Sequence, residues 1–451
     1  MFIDKRRMSM AHYEVYPLIL QSNSSPFTVN PLPKYMRLHR PLVQATVKTL
    51  QEIFQHHNPR QADKVIEATL KSNKQWGSRD RSFIAETCYE IVRNWRMVLF
   101  CNDLYEDKLK PPYFWQIVGS WLIIRKRLYP DLDNLDELPK WDEFSHITPT
   151  KILARFEEAQ KIRKVRESVP DWLDALGETE LGSEKWTAEI HALNRQAPVV
   201  LRANSLKTNQ DALQDMLDRI DIQTFMPNDV KEFPDALFLE QRVNLFRTDY
   251  FKDGLFEVQD AASQLVAPLL DVQPGMRVID ACAGAGGKAL HLAALMQNKG
   301  KITAMDVEEW KLNELMKRAK RNGVDNIEVQ LIDPKTLEKY HESADRLLLD
   351  VPCSGLGVIR RNPDAKWKLS AAFIDNLKII QWDIITKYSQ MLKKGGKMVF
   401  ATCSLLPSES EAHIQRLLAE QPENWQLISE RRTSTAEEGL DGFYMACLLK
   451  K

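Results

Sequence analysis

The chain has 451 residues, 44% of them apolar and 27% charged, with 62 basic and 62 acidic side chains. That length accommodates two or three domains with well-buried cores, and the balanced charge carries no net signal of a polyanionic partner. Six cysteines without a C-x-x-C pair, and nine histidines without H-x-x-x-H or H-E-x-x-H spacing, argue against a disulfide framework and a metal centre. No apolar stretch approaches the ~20 residues of a membrane span and no signal-peptide core opens the chain, so a cytoplasmic protein with reduced thiols and no membrane partner is expected.

Charge is segregated along the chain. Residues 1–100 hold 15 Lys/Arg against 8 Asp/Glu, and residues 351–400 hold 9 against 3. A basic face for nucleic acid is compatible with this pattern, as is an ordinary solvated surface. Residues 1–35 mix Lys5-Arg6-Arg7 with Asn, Ser and Pro without period and read as a poorly ordered extension, with Met36 an alternative start. Residues 36–166 read as an all-helical domain. Its stripes are Val43, Val47, Leu50 and Phe54, then Ile84, Cys88, Ile91 and Trp95, then Phe114, Ile117, Val118 and Trp121. Arg79, Arg81, Arg93 and Arg96 decorate it, either as a solvated face or as an RNA-facing one.

Residues 167–265 read as a linker and a small α+β, RRM-like module. The stretch 170–190 is acidic and irregular. A strand over Pro198–Asn204, a helix over Asn209–Arg219 and short strands around Phe225 and Leu237–Leu239 follow. From 266 to 451 strand and helix alternate, which predicts an α/β fold with a doubly wound, mostly parallel sheet and ligands at the strands' carboxyl ends. The strand candidates are Arg277–Cys282, Lys301–Asp306, Ile327–Asp333, Arg346–Val351 and Lys397–Thr402. A helix over Glu308–Asn322 turns Leu312, Leu315, Met316 and Ala319 inward and is capped by Gly323. Another over Ala371–Lys393 is closed by Gly395, and Ser408 to Glu411 reads as a capping box.

The first of these strands runs into Asp280-Ala281-Cys282-Ala283-Gly284-Ala285-Gly286-Gly287-Lys288 and a helix from about Ala289. Glycines let a backbone pass close under a ligand, and the helix N-terminus offers it free N–H groups. A P-loop is excluded, because Cys282 stands where its first glycine belongs and Ala289 follows Lys288. A dinucleotide fingerprint fits loosely through Gly284-x-Gly286-x-x-Ala289 with Asp306. S-adenosyl-L-methionine fits the same loop, with Asp306 for the ribose and Asp333 near the adenine.

Cys353, in Asp350-Val351-Pro352-Cys353-Ser354-Gly355, and Cys403, in Thr402-Cys403-Ser404, end the fourth and fifth strands and should meet at the cofactor's reactive end. A thiol with an ordinary pKa of about 8.5 is activated in a polar, partly exposed setting of this kind. Chemistry that uses two thiols and a methyl donor is methylation of a pyrimidine at carbon 5: one thiolate adds to carbon 6 and makes carbon 5 nucleophilic. A carboxyl group such as Asp350 then serves the ring's N3 side, and a second acid/base group serves release.

Together with Gly254-x-Phe256-x-Val258-Gln259-Asp260-x-x-Ser263 and Gly442-Phe443, these motifs make residues 185–451 similar to the RNA (cytosine-5-)-methyltransferases of the Sun/RsmB and Nop type. The resemblance implies a Rossmann-like class I methyltransferase domain with a mostly parallel seven-stranded sheet. It implies Cys403 as nucleophile, Cys353 assisting product release, and cofactor contacts from Cys282–Lys288, Asp306, Asp333 and Asp350. Arg360, Arg361, Lys366 and Trp367 follow the family's arrangement and suit phosphate contact and base stacking. Arg202 and Asn204 match its upstream module, with structural and RNA roles both open. The chain departs from the family's Cys-Ala-Ala-Pro-Gly-Gly-Lys loop by Gly284-Ala285 in place of Ala-Pro. Gly77-Ser78-Arg79-Asp80-Arg81 and Tyr89-Glu90-Ile91-Val92-Arg93 make the helical domain resemble the NusB-like domain of the Sun/RsmB branch, which implies small-subunit ribosomal RNA as partner, with transfer RNA the alternative and a monomer expected. The rivals are a Rossmann oxidoreductase and a non-catalytic RNA-binding assembly factor.

Overall fold

A computed structural model describes residues 38–54, 60–130 and 137–451. The extension expected over residues 1–35, and Met36, lie outside the described residues. Two compact units form. One comprises Pro198–Val358 with Ala371–Lys451, the other the described residues up to Ala197 with Ile359–Ser370.

The second unit is helical, as its apolar spacing predicts. Val43, Val47, Leu50, Phe54, Ile84, Cys88, Ile91, Trp95, Phe114, Ile117, Val118 and Trp121 all enter one core. The stretch expected to be irregular instead forms two helices, Asp171–Leu181 and Ser183–Leu193. Leu173 of the first and Trp186, Ile190 and Leu193 of the second are buried, and Arg163 donates to Asp174 on one helix and to Ser183 on the other, both at 2.9 Å. Trp186 is buried where Gly177 leaves room for its ring, and it donates to Asp174 at 2.8 Å. Three of the four arginines serve packing. Arg81 donates to the Trp76 and Asn73 carbonyls, Arg93 to those of Arg195 and Arg360, and Arg96 to that of Val169.

The other unit carries two sheets. β1 (Val200–Ala203), β2 (Thr224–Phe225), β3 (Ala236–Leu239) and β4 (Phe256–Val258) form an antiparallel sheet in the order β2-β3-β1-β4. Arg202 and Asn204 are buried in it and act structurally. Arg202 donates to the Gly287 carbonyl at 2.8 Å, and Asn204 to those of Gly254 and Asn322 at 2.7 and 2.9 Å.

β5 (Arg277–Asp280), β6 (Lys301–Asp306), β7 (Ile327–Leu331), β8 (Ala344–Asp350), β9 (Leu392–Thr402), β10 (Trp425–Arg432) and β11 (Tyr444–Lys450) form the second sheet, in the order β10-β11-β9-β8-β5-β6-β7. The pairs from β9 to β7 are parallel, and β11 runs antiparallel to both its neighbours. The order reverses at β5, so β5, β6 and β8 direct their carboxyl ends to one crevice, as expected for a doubly wound sheet.

Three local expectations are corrected. The helix from Ala371 ends at Tyr388, because Leu392 is buried and already pairs with Ala344; Gly395, at φ +73°, then serves a bulge that brings Lys397 opposite Arg346. Met316 is exposed, while Leu312, Leu315 and Ala319 are buried. The helix Glu411–Glu420 has Ser410 at its N-cap, and the Ser410 hydroxyl pairs with Thr402 at 2.8 Å instead of capping.

Candidate active site

The register of β8 and β9 puts Asp350 opposite Ala401, so the residues that leave these strands stay side by side. The Val351 N–H donates to the Ala401 carbonyl at 3.1 Å and the Gly357 N–H to that of Cys403 at 2.9 Å, which closes one loop over the other. Cys353 Sγ and Cys403 Sγ lie 3.3 Å apart, and the Cys403 backbone N–H points at Cys353 Sγ at the same distance. Both thiols are free.

They differ in setting. Cys353 is buried, and its thiol is pushed well above the ordinary range, first by its hydrogen bond to Cys403, then by burial and by the charges of Cys403 and Glu409. Cys403 is half-buried. Lys288, at the start of the helix Gly287–Leu295, donates from Nζ to Asp350 Oδ2 at 2.6 Å. Burial opposes the Lys288 charge, but Asp350 outweighs it and the ammonium is held above the ordinary lysine range. The site thus unites two thiols, a carboxylate and an ammonium.

The glycine loop opens beside this cluster. Gly286 sits at φ +89°, in the left-handed region, and a Cβ there would lie 2.5 Å from Leu315. Only glycine lets the loop turn onto the next helix. The Gly284-Ala285 departure is accommodated, since Gly284 takes φ +54° and its N–H is held by Asp306 Oδ2 at 3.0 Å. Asp306 is buried and also accepts from the Glu308 N–H at 2.9 Å, so it orders the loop from below. Asp280 is buried too, and burial first, then the Asp350 charge, pushes its carboxyl up to about 7. Neither Asp280 oxygen finds a side-chain partner. An ammonium or hydroxyl donor of a ligand in the loop would supply one, and the left-handed glycines leave its backbone bare. These features fit an adenosyl amino acid.

Asp333 is held below the usual carboxylate range by the Thr336 hydroxyl, which donates to it at 2.9 Å. Exposed Val307 and Trp310 flank the end of β6 and offer an apolar surface for a base. Sequence reasoning passed over them, although two large apolar residues just past a strand-end acid were a usable signal. Cys282 is half-buried, its thiol driven well up by burial and then by Asp306.

The expected RNA contacts divide. Lys366 is buried within the helical unit and donates to the Arg93 carbonyl at 2.8 Å, the Glu167 carbonyl at 3.2 Å and Asn194 Oδ1 at 3.1 Å. Trp367 donates to the Val92 carbonyl at 2.8 Å and packs on the helical core. These bonds turn both side chains away from phosphate contact and stacking, and they fasten their own segment instead. Arg360 is buried and Arg361 half-buried. Among the described residues no cluster of His, Cys, Asp and Glu suits a metal ion, and no helix is long and apolar enough to cross a membrane.

Comparison with known proteins agrees with this architecture. Residues 267–448 match the family described as 16S rRNA methyltransferase RsmB/F, and residues 169–245 match the RsmF/B-like ferredoxin-like domain. Ribosomal RNA small subunit methyltransferase B of Klebsiella pneumoniae subsp. pneumoniae is 32% identical over 398 residues, covering 83% of this chain and 91% of that protein. The probable ribosomal RNA small subunit methyltransferase B of Synechocystis sp. is 33% identical over 303 residues, 63% of this chain and 67% of that protein. The crystal structure of PH0851 shares the fold over 92% of this chain and all of its own, with a TM-score of 0.75 at 21% identity. A methyltransferase homolog protein from Pyrococcus horikoshii aligns with 64% of this chain and 98% of its own at a TM-score of 0.57 and 26% identity. With its two matched domains, its paired strand-end thiols and relatives alike over most of its length, the chain belongs to the RsmB/F family of 16S rRNA methyltransferases.

Proposed function

We propose that this chain methylates carbon 5 of a cytosine in small-subunit ribosomal RNA, with S-adenosyl-L-methionine as donor and through a covalent bond from Cys403 to the ring. The observation that carries the reading is the 3.3 Å pairing of two free thiols beside the Lys288–Asp350 ion pair. Bound S-adenosyl-L-methionine supplies an electrophilic methyl group, and the loop Cys282–Lys288 with Asp280, Asp306, Asp333 and Asp350 would hold it.

The chain's own residues account for the remaining chemistry. Cys403, the more open thiol, releases its proton to solvent and as a thiolate bonds to carbon 6, and the displaced ring electrons make carbon 5 the nucleophile. The Asp350–Lys288 pair sets an acceptor and a donor together for the ring's polar edge, where negative charge develops. After transfer the carbon 5 proton leaves to a base, its electron pair restores the ring double bond, and the Cys403 sulfur departs. Cys353, which keeps its proton because of its setting, stands next to that sulfur and is suited to help its release. The relatives act on ribosomal RNA by name, so the cytoplasm is where we expect this chain to work, as a monomer.

Bisulfite mapping of small-subunit RNA from cells with and without the chain identifies the base. Cys403→Ala should lower methyl transfer on the order of 10⁴-fold or more without forming an adduct, while Cys353→Ala should accumulate a covalent protein–RNA species. Full RNA binding with no methyl transfer by the wild-type chain would favour the assembly-factor reading instead.

A further inference from the structure

Each reactive cysteine is followed by a serine, and both serines reach the same buried carboxylate. Glu409, fully buried in the short turn Pro407–Glu409, accepts the Ser354 N–H at 2.9 Å on Oε1, and the Ser354 and Ser404 hydroxyls on Oε2. Gln381, from the helix Ala371–Tyr388, donates to Glu409 Oε1 at 3.0 Å. The same amide group donates to the Pro352 carbonyl at 2.9 Å, and Gln381 Oε1 meets His413 Nε2 at 2.9 Å. The two hydroxyls also lie 3.1 Å from each other. One side chain thereby bonds both thiol-bearing loops, and a second ties it to the residue just before Cys353.

We infer that Glu409 is a positioning residue that sets the spacing of the Cys353 and Cys403 sulfurs. This inference rests on the methyl-transfer reading for its consequence, though not for its geometry. A buried carboxylate with four donors is costly to leave incomplete, and here three of the four come from the two loops themselves. Core packing explains it poorly, because an apolar side chain would fill the volume without linking Ser354 to Ser404. Its charge also faces Cys353 and contributes to keeping that thiol protonated. Both effects favour a division of labour in which one sulfur attacks and the other remains a thiol.

The test compares wild type, Glu409→Gln and Glu409→Ala in the full chain, with rates expressed per folded molecule. One readout is methyl transfer at saturating S-adenosyl-L-methionine and RNA. The other, independent of methyl transfer, is capture of phenylarsine oxide, which binds tightly only where two thiols are held close together. Misplacement of reacting groups by about 1 Å costs on the order of 10²-fold, so Glu409→Ala should lose about that much kcat while KM for both substrates stays within about twofold. Its arsenical affinity should fall at least about tenfold on the same argument. Glu409→Gln, which keeps the shape and one acceptor oxygen, should fall between, and it carries the comparison if the alanine variant does not fold. Native kcat and native arsenical capture in the folded variants would overturn the inference. Tight arsenical capture by a wild-type chain that transfers no methyl group would instead overturn the methyl-transfer reading and leave the spacing role standing.

Discussion

Asp280 ends β5 as a buried carboxyl pushed up to about 7, while an unfolded chain ionises it near 3.8. Burial is the larger cause and the charge of Asp350 the next. Between these two values the folded protein keeps a proton that the unfolded chain has released, so each upward step in pH favours unfolding. The loss starts near the lower value, is complete near the upper one, and then levels off. Asp280→Asn has no proton to lose. Without added ligand, the denaturation midpoint of Asp280→Asn relative to wild type should therefore improve steadily from pH 4 to pH 7 and stay constant above it. Parallel midpoints across that range would mean that Asp280 ionises normally and that the crevice is wetter than its burial implies.

The cofactor loop and the helix Gly287–Leu295 are joined through Gly286, whose left-handed backbone and closeness to Leu315 make separable demands. Gly286→Ala should cost about 1–3 kcal/mol from the backbone conformation alone, read as a lowered unfolding midpoint, and calorimetry should show weaker S-adenosyl-L-methionine binding. Adding Leu315→Ala makes room for the new methyl group but leaves the backbone strained. The double variant should therefore recover little of the binding, and full recovery would assign the effect to crowding instead. The strands on either side of this loop were legible, because buried parallel strands must be short apolar runs and β5 to β9 are such runs. β10 and β11 escaped notice: exposed Ile428 breaks the burial pattern of the first, and only the one-turn helix Thr435–Glu438 separates it from the second. The helices Asp171–Leu181 and Ser183–Leu193 were missed because their acidic residues mask short stripes, Leu173 with Gly177 in the first and Trp186, Ile190 and Leu193 in the second. Residues that act through their immediate neighbours, such as Gly286, could be read from the chain. The link from Glu409 to both serines could not, because it joins segments about fifty residues apart in sequence.

The segment Ile359–Ser370 shows the same limit over a longer reach, since it leaves the methyltransferase unit in sequence and packs within the helical one. Its basic and aromatic residues invited an RNA reading because the partners that consume them, Arg93, Glu167 and Asn194, lie far away along the chain. Burial first, and the charge of Arg93 next, hold the Lys366 ammonium well below the usual lysine range, an environment opposite to that of a phosphate contact. Lys366→Met keeps the stem and removes the donor, leaving three acceptors short of a bond. At about 1–3 kcal/mol for each buried group left unpaired, hydrogen exchange in the helices around Arg93 and Asn194 should accelerate by at least about 10²-fold. RNA binding below the unfolding temperature should keep its dependence on salt. A lysine that neutralised a phosphate would, on removal, lower the slope of log affinity against log salt by about one. If Lys366→Met lowers that slope while the helices keep their native exchange rates, then Lys366 faces RNA, and the bonds to Arg93, Glu167 and Asn194 are not those that hold it in solution.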